Sequence, residues 1–587
     1  MKLIYAWVEN FRNLEKVGFN ISSKYNVSYD DINKKVIIEK KDKFIPDYGN
    51  VDEITAIIGK NGSGKTNLLD LLSFKYYKRL DDKIGHFFIY HLEGNSFIIE
   101  GYKKNLTNIP IPEDAKELYT VTFSYDFNSN ISIFEFYTQF EDKLDNKMAI
   151  VNIRRFFKSG YNFRSFELDD IKYFFPRFNM RYDWQMSNYN KYNFIIDIRS
   201  HIPNVLSGTY KMQISFDNNY SNEIIKELDF IKLRESNNHT KRSFIINFLK
   251  SIIYSSFSSL KERDYYEKNN KNGEFLREIK EISVTTDIVN YYLDIFDKIM
   301  SYMSDNESMS SYIYETEYNG VKEVVYKINE LNNEYFKSNT LEIPLRHKDR
   351  KTLKLLKIID KYKLNDIPYL GFINIQFLPF SSGEEVFIDI YSMLIGLRRF
   401  SQYENLIILL DEPDNFMHPE WSRRFISLLL KYLNYVNEMN FQIIVTTHSP
   451  FIISDLVEDN VITIDVEKET GNCRILTNSI KQKRTFASNI HTLLSSTFFM
   501  ESTIGKYAED TINELITLLN RKRELTKEEN DYVRNVINII EEPLIKGYLS
   551  QLYEKRLPLE ERIERINLQI KELKNQREKL ERDDYFD

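Results

Sequence analysis

Eight consecutive residues, Gly59-Lys60-Asn61-Gly62-Ser63-Gly64-Lys65-Thr66, have the types and spacing needed to enclose a polyphosphate. Glycines at 59, 62 and 64 let the backbone curl until its N–H groups face phosphate oxygens, and a helix after the loop presents its positive end to them. Asn61 and Ser63 belong to the same wrap. Lys65 supplies a point charge for the terminal phosphates, and the Thr66 hydroxyl is a candidate magnesium ligand. Far along the chain, Asp411 offers a carboxylate to hold that metal, directly or through water, and Glu412 one to orient and deprotonate an attacking water. His448 ends a strand and is placed to hydrogen-bond a terminal phosphate. Phe380-Ser381-Ser382-Gly383-Glu384-Glu385 is a Ser/Gly turn opening a helix with acids in its first turn, by itself simply a good N-cap. An acidic turn or a lone histidine is commonly structural; the phosphate loop gives these groups a shared chemistry.

The elements that must position them follow from hydrophobic patterning. Ile54 to Ile58 is a short apolar run ending at the glycine loop, and Asn67 to Leu72 has helical spacing, so the order is strand, loop, helix. Asn405 to Leu410 and Gln442 to Thr446 are near-continuous apolar strands, as expected for a parallel sheet covered on both faces. The start of the chain alternates like a strand, and β-like runs at His86 to Tyr90, Phe97 to Glu100, Leu118 to Tyr125 and Ile131 to Tyr137 suggest an antiparallel flap. Helix-like stretches at Ile225 to Leu233, Ile245 to Leu260 and Ile288 to Met303 mark a large, mainly helical insertion, with β-like structure returning at Gly371 to Phe377. The fold class is therefore α/β. From Leu559, apolar residues at 559, 563, 566, 570, 573 and 580 run over about three heptads, read as a surface helix ahead of a dimerising or partner-binding coiled coil.

With 587 residues, 42% of them hydrophobic and 28% charged, the composition is that of an ordinary globular protein. No apolar run approaches the ~20 residues that cross a bilayer. The opening residues lack a signal-peptide core, and the single cysteine, Cys473, forms no internal disulfide; both lead to a cytoplasmic expectation. A net charge of −7 leaves any nucleic-acid contact to local patches. The densest is Arg346, Lys348, Arg350, Lys351, Lys354, Lys357 and Lys361, which reads as a solvated helix face before a phosphate track. Arg154 to Lys158 and Lys481 to Arg484 are shorter.

In this order, phosphate loop, Ser381/Gly383 segment, Asp411-Glu412 strand and His448, the motifs resemble the ABC-type P-loop ATPases. That resemblance implies binding and hydrolysis of ATP with Mg2+, with Glu412, His448 and Lys65 catalytic. It also implies that Ser381 and Gly383 complete the site of a second subunit across a nucleotide-sandwiched dimer. The usual Leu-Ser-Gly-Gly-Gln signature is altered here at three positions, which argues toward the soluble branch. Asn10-Phe11-Arg12-Asn13-Leu14, the Asp411 to Pro419 segment and His448-Ser449-Pro450 resemble RecF, SMC and overcoming-lysogenization-defect (OLD) ATPases. Phe486 to Leu494 with Phe498-Phe499 looks like a segment in anti-phage ATPases of the Septu type.

An OLD nuclease adds a metal-binding D-x-D pair after the switch histidine, and no D-x-D follows Asp411. The expected protein is an ATPase that forms a homodimer or higher homo-oligomer and governs a separate nuclease effector, with no membrane association. The alternative is a RecF/SMC-like ATPase that binds DNA directly. The expected parts are the ATPase core over 1–150 and 371–480, the helical insertion over 151–370, and a helical partner-binding or dimerisation region over 481–587. Gln139, Gln185 and Gln213 are equivalent candidates for a water- or metal-contacting glutamine.

Overall fold

The computed structural model describes residues 1–41, 46–73, 85–102, 106–109, 118–137, 147–154, 177–181, 187–201, 208, 210–216, 228, 241–261, 273–283, 287–305, 311–337, 340–363, 373–435, 439–476, 484–498, 500 and 502–583. They form two compact units, 1–493 and 494–587.

The first unit opens with β1 (Lys2–Phe11), β2 (Leu14–Asn20), the hairpin β3 (Tyr25–Asp30) and β4 (Lys35–Lys40), and β5 (Val51–Gly59), which delivers the glycine loop to α1 (Lys65–Leu72). Four strands then follow: β6 (His86–His91), β7 (Ser96–Tyr102), β8 (Leu118–Asp126) and β9 (Ile131–Tyr137). They join β1 and β2 in an antiparallel sheet of order β2-β1-β6-β7-β8-β9.

The central sheet is built from both halves of the chain. β10 (Met148–Arg154), β11 (Arg177–Arg181), β15 (Asn405–Asp411), β16 (Asn440–Thr446), β17 (Val461–Val466) and β18 (Cys473–Ile475) assemble with β5 in the order β11-β10-β15-β16-β5-β17-β18. Every pairing from β11 to β17 is parallel; β18 alone runs antiparallel. Leu406 to Leu410 are all buried, as patterning for a two-face-covered sheet requires. One apolar core lies between the two sheets. Leu68, Leu69, Leu71 and Leu72 of α1 meet Leu3, Ala6 and Val8 from β1 and Ile57, Ile407, Leu409 and Ile444 from the central sheet. The opposite face of the antiparallel sheet packs under the β3–β4 hairpin through Trp7, Tyr25, Val27, Phe87, Phe97 and Phe123.

The helical insertion comprises α2 (Asn188–His201), α3 (Lys241–Lys261), α4 (Glu274–Glu281), α5 (Ile288–Asp305), α6 (Ser311–Glu330) and α7 (Arg350–Lys363). It also holds a small sheet of order β13-β12-β14, made of β12 (Lys211–Phe216), β13 (Leu341–Pro344) and β14 (Ile373–Leu378). Two of its expected helices lie within α3 and α5; the third, Ile225 to Leu233, falls outside the described residues except Leu228. The chain returns to the core through α8 (Ser382–Gly396), α9 (Pro419–Tyr435), α10 (Pro450–Ser454) and α11 (Ile490–Ser496).

The second unit has its own core. α12 (Lys506–Leu519), α13 (Lys527–Ile539) and α14 (Pro543–Glu554) enclose Leu515, Leu519, Val533, Ile537, Leu549, Tyr553 and Leu557, and α15 (Leu559–Asp583) follows. Thr526 and Glu529 form a reciprocal capping box at the start of α13. No described helix is long and apolar enough to cross a membrane.

A buried ion pair ties the two sheets together. Arg177 on β11 reaches Glu100 on β7 at 2.9 Å, both side chains 2% exposed. The same guanidinium donates to the Leu72 carbonyl at the end of α1, and Tyr90 donates to Glu100. Breaking one side of such a pair strands a buried charge, at a cost of about 3–5 kcal/mol. Arg177→Met is therefore expected to lower unfolding free energy by about that amount in urea titration, and Arg177→Met/Glu100→Gln by less than the sum of the single changes. Additive losses would contradict the pairing.

Candidate functional site

The glycine loop takes the conformation its composition allows. Gly62 and Gly64 have φ of +80° and +106°, the left-handed region that side chains avoid. A Cβ on Gly64 would sit 2.9 Å from Leu14 and 3.0 Å from Asn13, so glycine is also needed for space. At Gly62 an added Cβ meets nothing within 4 Å, leaving the rim open. Lys65 is the first residue of α1 and is 5% exposed. Its Nζ donates to the carbonyls of Gly59 (3.1 Å) and Lys60 (3.3 Å) and lies 3.9 Å from Glu412 Oε1. Burial lowers the Lys65 pKa, against the pull of Glu412 and Asp411.

Sheet order sets the rest of the geometry. β16 separates the loop strand β5 from the carboxylate strand β15, so these strands stand about 10 Å apart. Side chains close that gap. Asp411 Oδ1 accepts from Thr446 Oγ1 at 2.7 Å and from Thr66 Oγ1 at 3.2 Å, joining the ends of β15 and β16 to the first turn of α1. Burial raises the Asp411 pKa, opposed by Arg154 and by the two hydroxyls.

Glu412 has φ of +45°, a left-handed conformation costly for any residue with a Cβ. Its N–H bonds Thr446 Oγ1, and its Oε2 accepts from Asn415 at 2.6 Å. Its Oε1 stands 3.4 Å from His448 Nε2. Contact with His448, then with Asn415, outweighs burial and holds the Glu412 carboxyl below its usual range. Lys65, Thr66, Asp411, Glu412 and His448 are thus brought together from elements hundreds of residues apart.

Four contributors to this cluster are not singled out as site residues by sequence. Arg154 ends β10 beside Asp411, because Ile153 pairs with Leu410 in the parallel register, and is 4% exposed. In the sequence it stands only at the start of a short basic run. Arg154 and Arg12 both pair with Asp70 on α1. Asn13 donates to the Gly62 carbonyl at 2.9 Å and accepts from Asn67, so the turn after β1 buttresses the phosphate loop. Thr446 is the fourth. The Asn-Phe-Arg-Asn-Leu spacing was the available signal for Arg12 and Asn13; nothing local marked Arg154 or Thr446.

Ser381 and Gly383 occupy a different setting. Ser381 is the N-cap of α8 and exposed, in a capping box with Glu384: its backbone N–H reaches Glu384 Oε2 at 2.8 Å. A Cβ on Gly383 would lie 2.8 Å from the Phe416 carbonyl, so α8 rests against the turn that follows Glu412. Gln213 sits on β12 opposite Gln376 and Glu342; Gln139 and Gln185 lie outside the described residues.

The cluster fits a nucleotide and a small oxygen-preferring cation. Ser63 Oγ is buried without a hydrogen-bond partner among the described residues, and His448 Nε2 faces the Glu412 carboxylate at 3.4 Å. Thr66 and Asp411 converge as two hard oxygen ligands, with Thr446 behind the carboxylate.

Burial also pushes the Asp414 carboxyl, which accepts from Thr447 Oγ1, up to about 6. A pKa raised on folding gives stability that is complete below the unfolded value near 4 and is lost as pH rises through about 6. Asp414→Asn keeps the acceptor and removes the charge. It is expected to exceed the parent in stability by about 3 kcal/mol at pH 8, the gap closing toward pH 4, in denaturant titrations. A gap independent of pH would contradict this.

A family model described as an AAA ATPase domain matches residues 1–453. No curated protein matches the chain. With that match spanning most of the chain over a P-loop head, the protein belongs to the AAA ATPase domain family and is an ATP hydrolase.

Proposed function

We propose that the protein is a magnesium-dependent ATPase of the ABC type, that two copies close around ATP, and that this cycle controls a partner effector, a nuclease acting in anti-phage defence. The observation that carries the reading is the placement of Ser381. It caps α8 with its side chain exposed, and Gly383, two residues on in the first turn, abuts the loop following Glu412. Such a helix N-terminus attracts phosphate, and on its own chain it is engaged with Glu384. Each chain then carries a loop that binds phosphate and a serine turn that completes the loop of another.

Within one site, the loop N–H groups and Lys65 bind the phosphates, and Thr66 and Asp411 hold the metal. Magnesium supplies neutralisation of phosphate charge. Glu412, kept ionised, takes the proton of the attacking water, and His448 holds that carboxylate in place. The nuclease assignment draws support from an intact hydrolytic set with no D-x-D pair after Asp411.

Glu412→Gln is expected to retain ATP binding and to lose turnover by about a hundredfold or more, since positioned general-base catalysis is worth about 10²–10⁴. Unchanged turnover would remove Glu412 from the mechanism. Ser381→Arg is expected to retain ATP binding and to lose ATP-dependent association in sedimentation at dilutions where the nucleotide-free chain is monomeric.

Direct binding of DNA is the second reading, favoured by one observation. Lys351, Lys354, Lys357 and Lys361 are all exposed along α7, whose other described side chains from Thr352 to Tyr362 are buried. Neutralising the first three should abolish any salt-dependent DNA binding by the purified chain; binding that survives would dismiss the stripe.

A further inference from the structure

The last helix carries an aliphatic stripe that the described residues of its own unit leave about half exposed. The core of residues 494–587 is filled by α12 to α14 and Leu557. On α15, Leu559, Ile563, Ile566, Ile570 and Leu573 are 68, 52, 53, 45 and 64% exposed. Their spacing alternates four and three, the repeat of a coiled-coil seam, with Ile563 and Ile570 at a and Leu559, Ile566 and Leu573 at d. About two heptads of half-exposed Ile and Leu side chains favour a partner that removes them from water.

We propose that α15 pairs antiparallel with α15 of a second copy of this chain. The charges beside the seam choose both the occupant and its direction. In an antiparallel pair a residues face d residues, so Ile563 meets Leu573 and Ile566 meets Ile570, each twice by symmetry. That register places Glu560 opposite Lys574 at both ends, two opposite-charge pairs flanking four aliphatic layers. It also sets Arg577 across from Leu559 at each end of the seam, where a long side chain reaches water. A parallel pair would bring Arg577 against its own copy in an a layer. It would also leave Glu560 and Lys574 without each other. The helix is complementary to itself in one direction only.

This pairing needs no nucleotide, which separates it from the ATP-driven closure proposed above. It would raise the local concentration of two heads already tethered at their C-terminal units.

The test is the mass of the full chain, without nucleotide, by sedimentation at about 50 µM, a range suited to a short seam. The parent should be dimeric, and Ile563→Glu/Ile570→Glu monomeric with ATP binding retained. Glu560→Lys should weaken the dimer roughly tenfold, and adding Lys574→Glu should restore it. For direction, Glu560→Cys and Lys574→Cys chains should form a disulfide only when mixed. A monomeric parent, a double Glu variant of unchanged mass, or self-crosslinking of Glu560→Cys alone would each overturn the proposal. Ser381→Arg should leave this nucleotide-free dimer intact, so failure of one association is distinguishable from failure of the other.

Discussion

Accommodating the largely buried carboxylate of Asp411 is the constraint around which the head is arranged. The group sits at the end of a strand buried on both faces, and desolvation pushes its pKa up. The surrounding structure opposes that shift from three directions: Arg154 from β10, Thr446 from β16 and Thr66 from α1. Each depends on a parallel register, because a slip of one residue along β10 or β16 would turn Arg154 or Thr446 to the other face. The long-range strand pairing is thus an electrostatic requirement as well as a packing solution.

The same logic extends outward. Asp70 collects Arg154 and Arg12, which fixes α1 against both sheets, while Arg177 joins Glu100 to the far end of α1. The insertion connects to the Ser381 turn directly, since β14 runs into it. Tyr210, just before β12, stacks on Phe380 with ring centroids 4.3 Å apart and donates to Glu384 Oε1 at 3.0 Å. Glu384 is the residue that caps Ser381 in return. A movement of the insertion sheet therefore has a short physical route to the serine turn.

Much of the site was legible because it is written locally. Gly62 and Gly64 announce a backbone with positive φ, the apolar run before Asp411 announces a buried parallel strand, and Ser381 with Glu384 announces a helix start. The antiparallel strands from His86 to Tyr137 were legible as β-like runs separated by Asn, Gly and Pro. What stayed hidden is what only tertiary pairing creates. Arg154 belongs to the cluster because β10 lies beside β15, some 250 residues later, and no local spacing encodes that neighbour. Thr446 reads as one more β-branched strand residue until its hydroxyl is found on Asp411. The strained Glu412 is invisible as well, since a non-glycine at φ +45° has no sequence signature.

If two chains share each ATP site, two differently defective variants should rescue one another when mixed. Lys65→Ala removes the phosphate-binding side and Ser381→Arg the serine side, each expected to be nearly inactive alone. Mixed in equal amounts, half of the dimers pair one of each and contain one intact site, so ATPase activity should recover to about a quarter of the parent. A mixture no more active than its components would contradict the account.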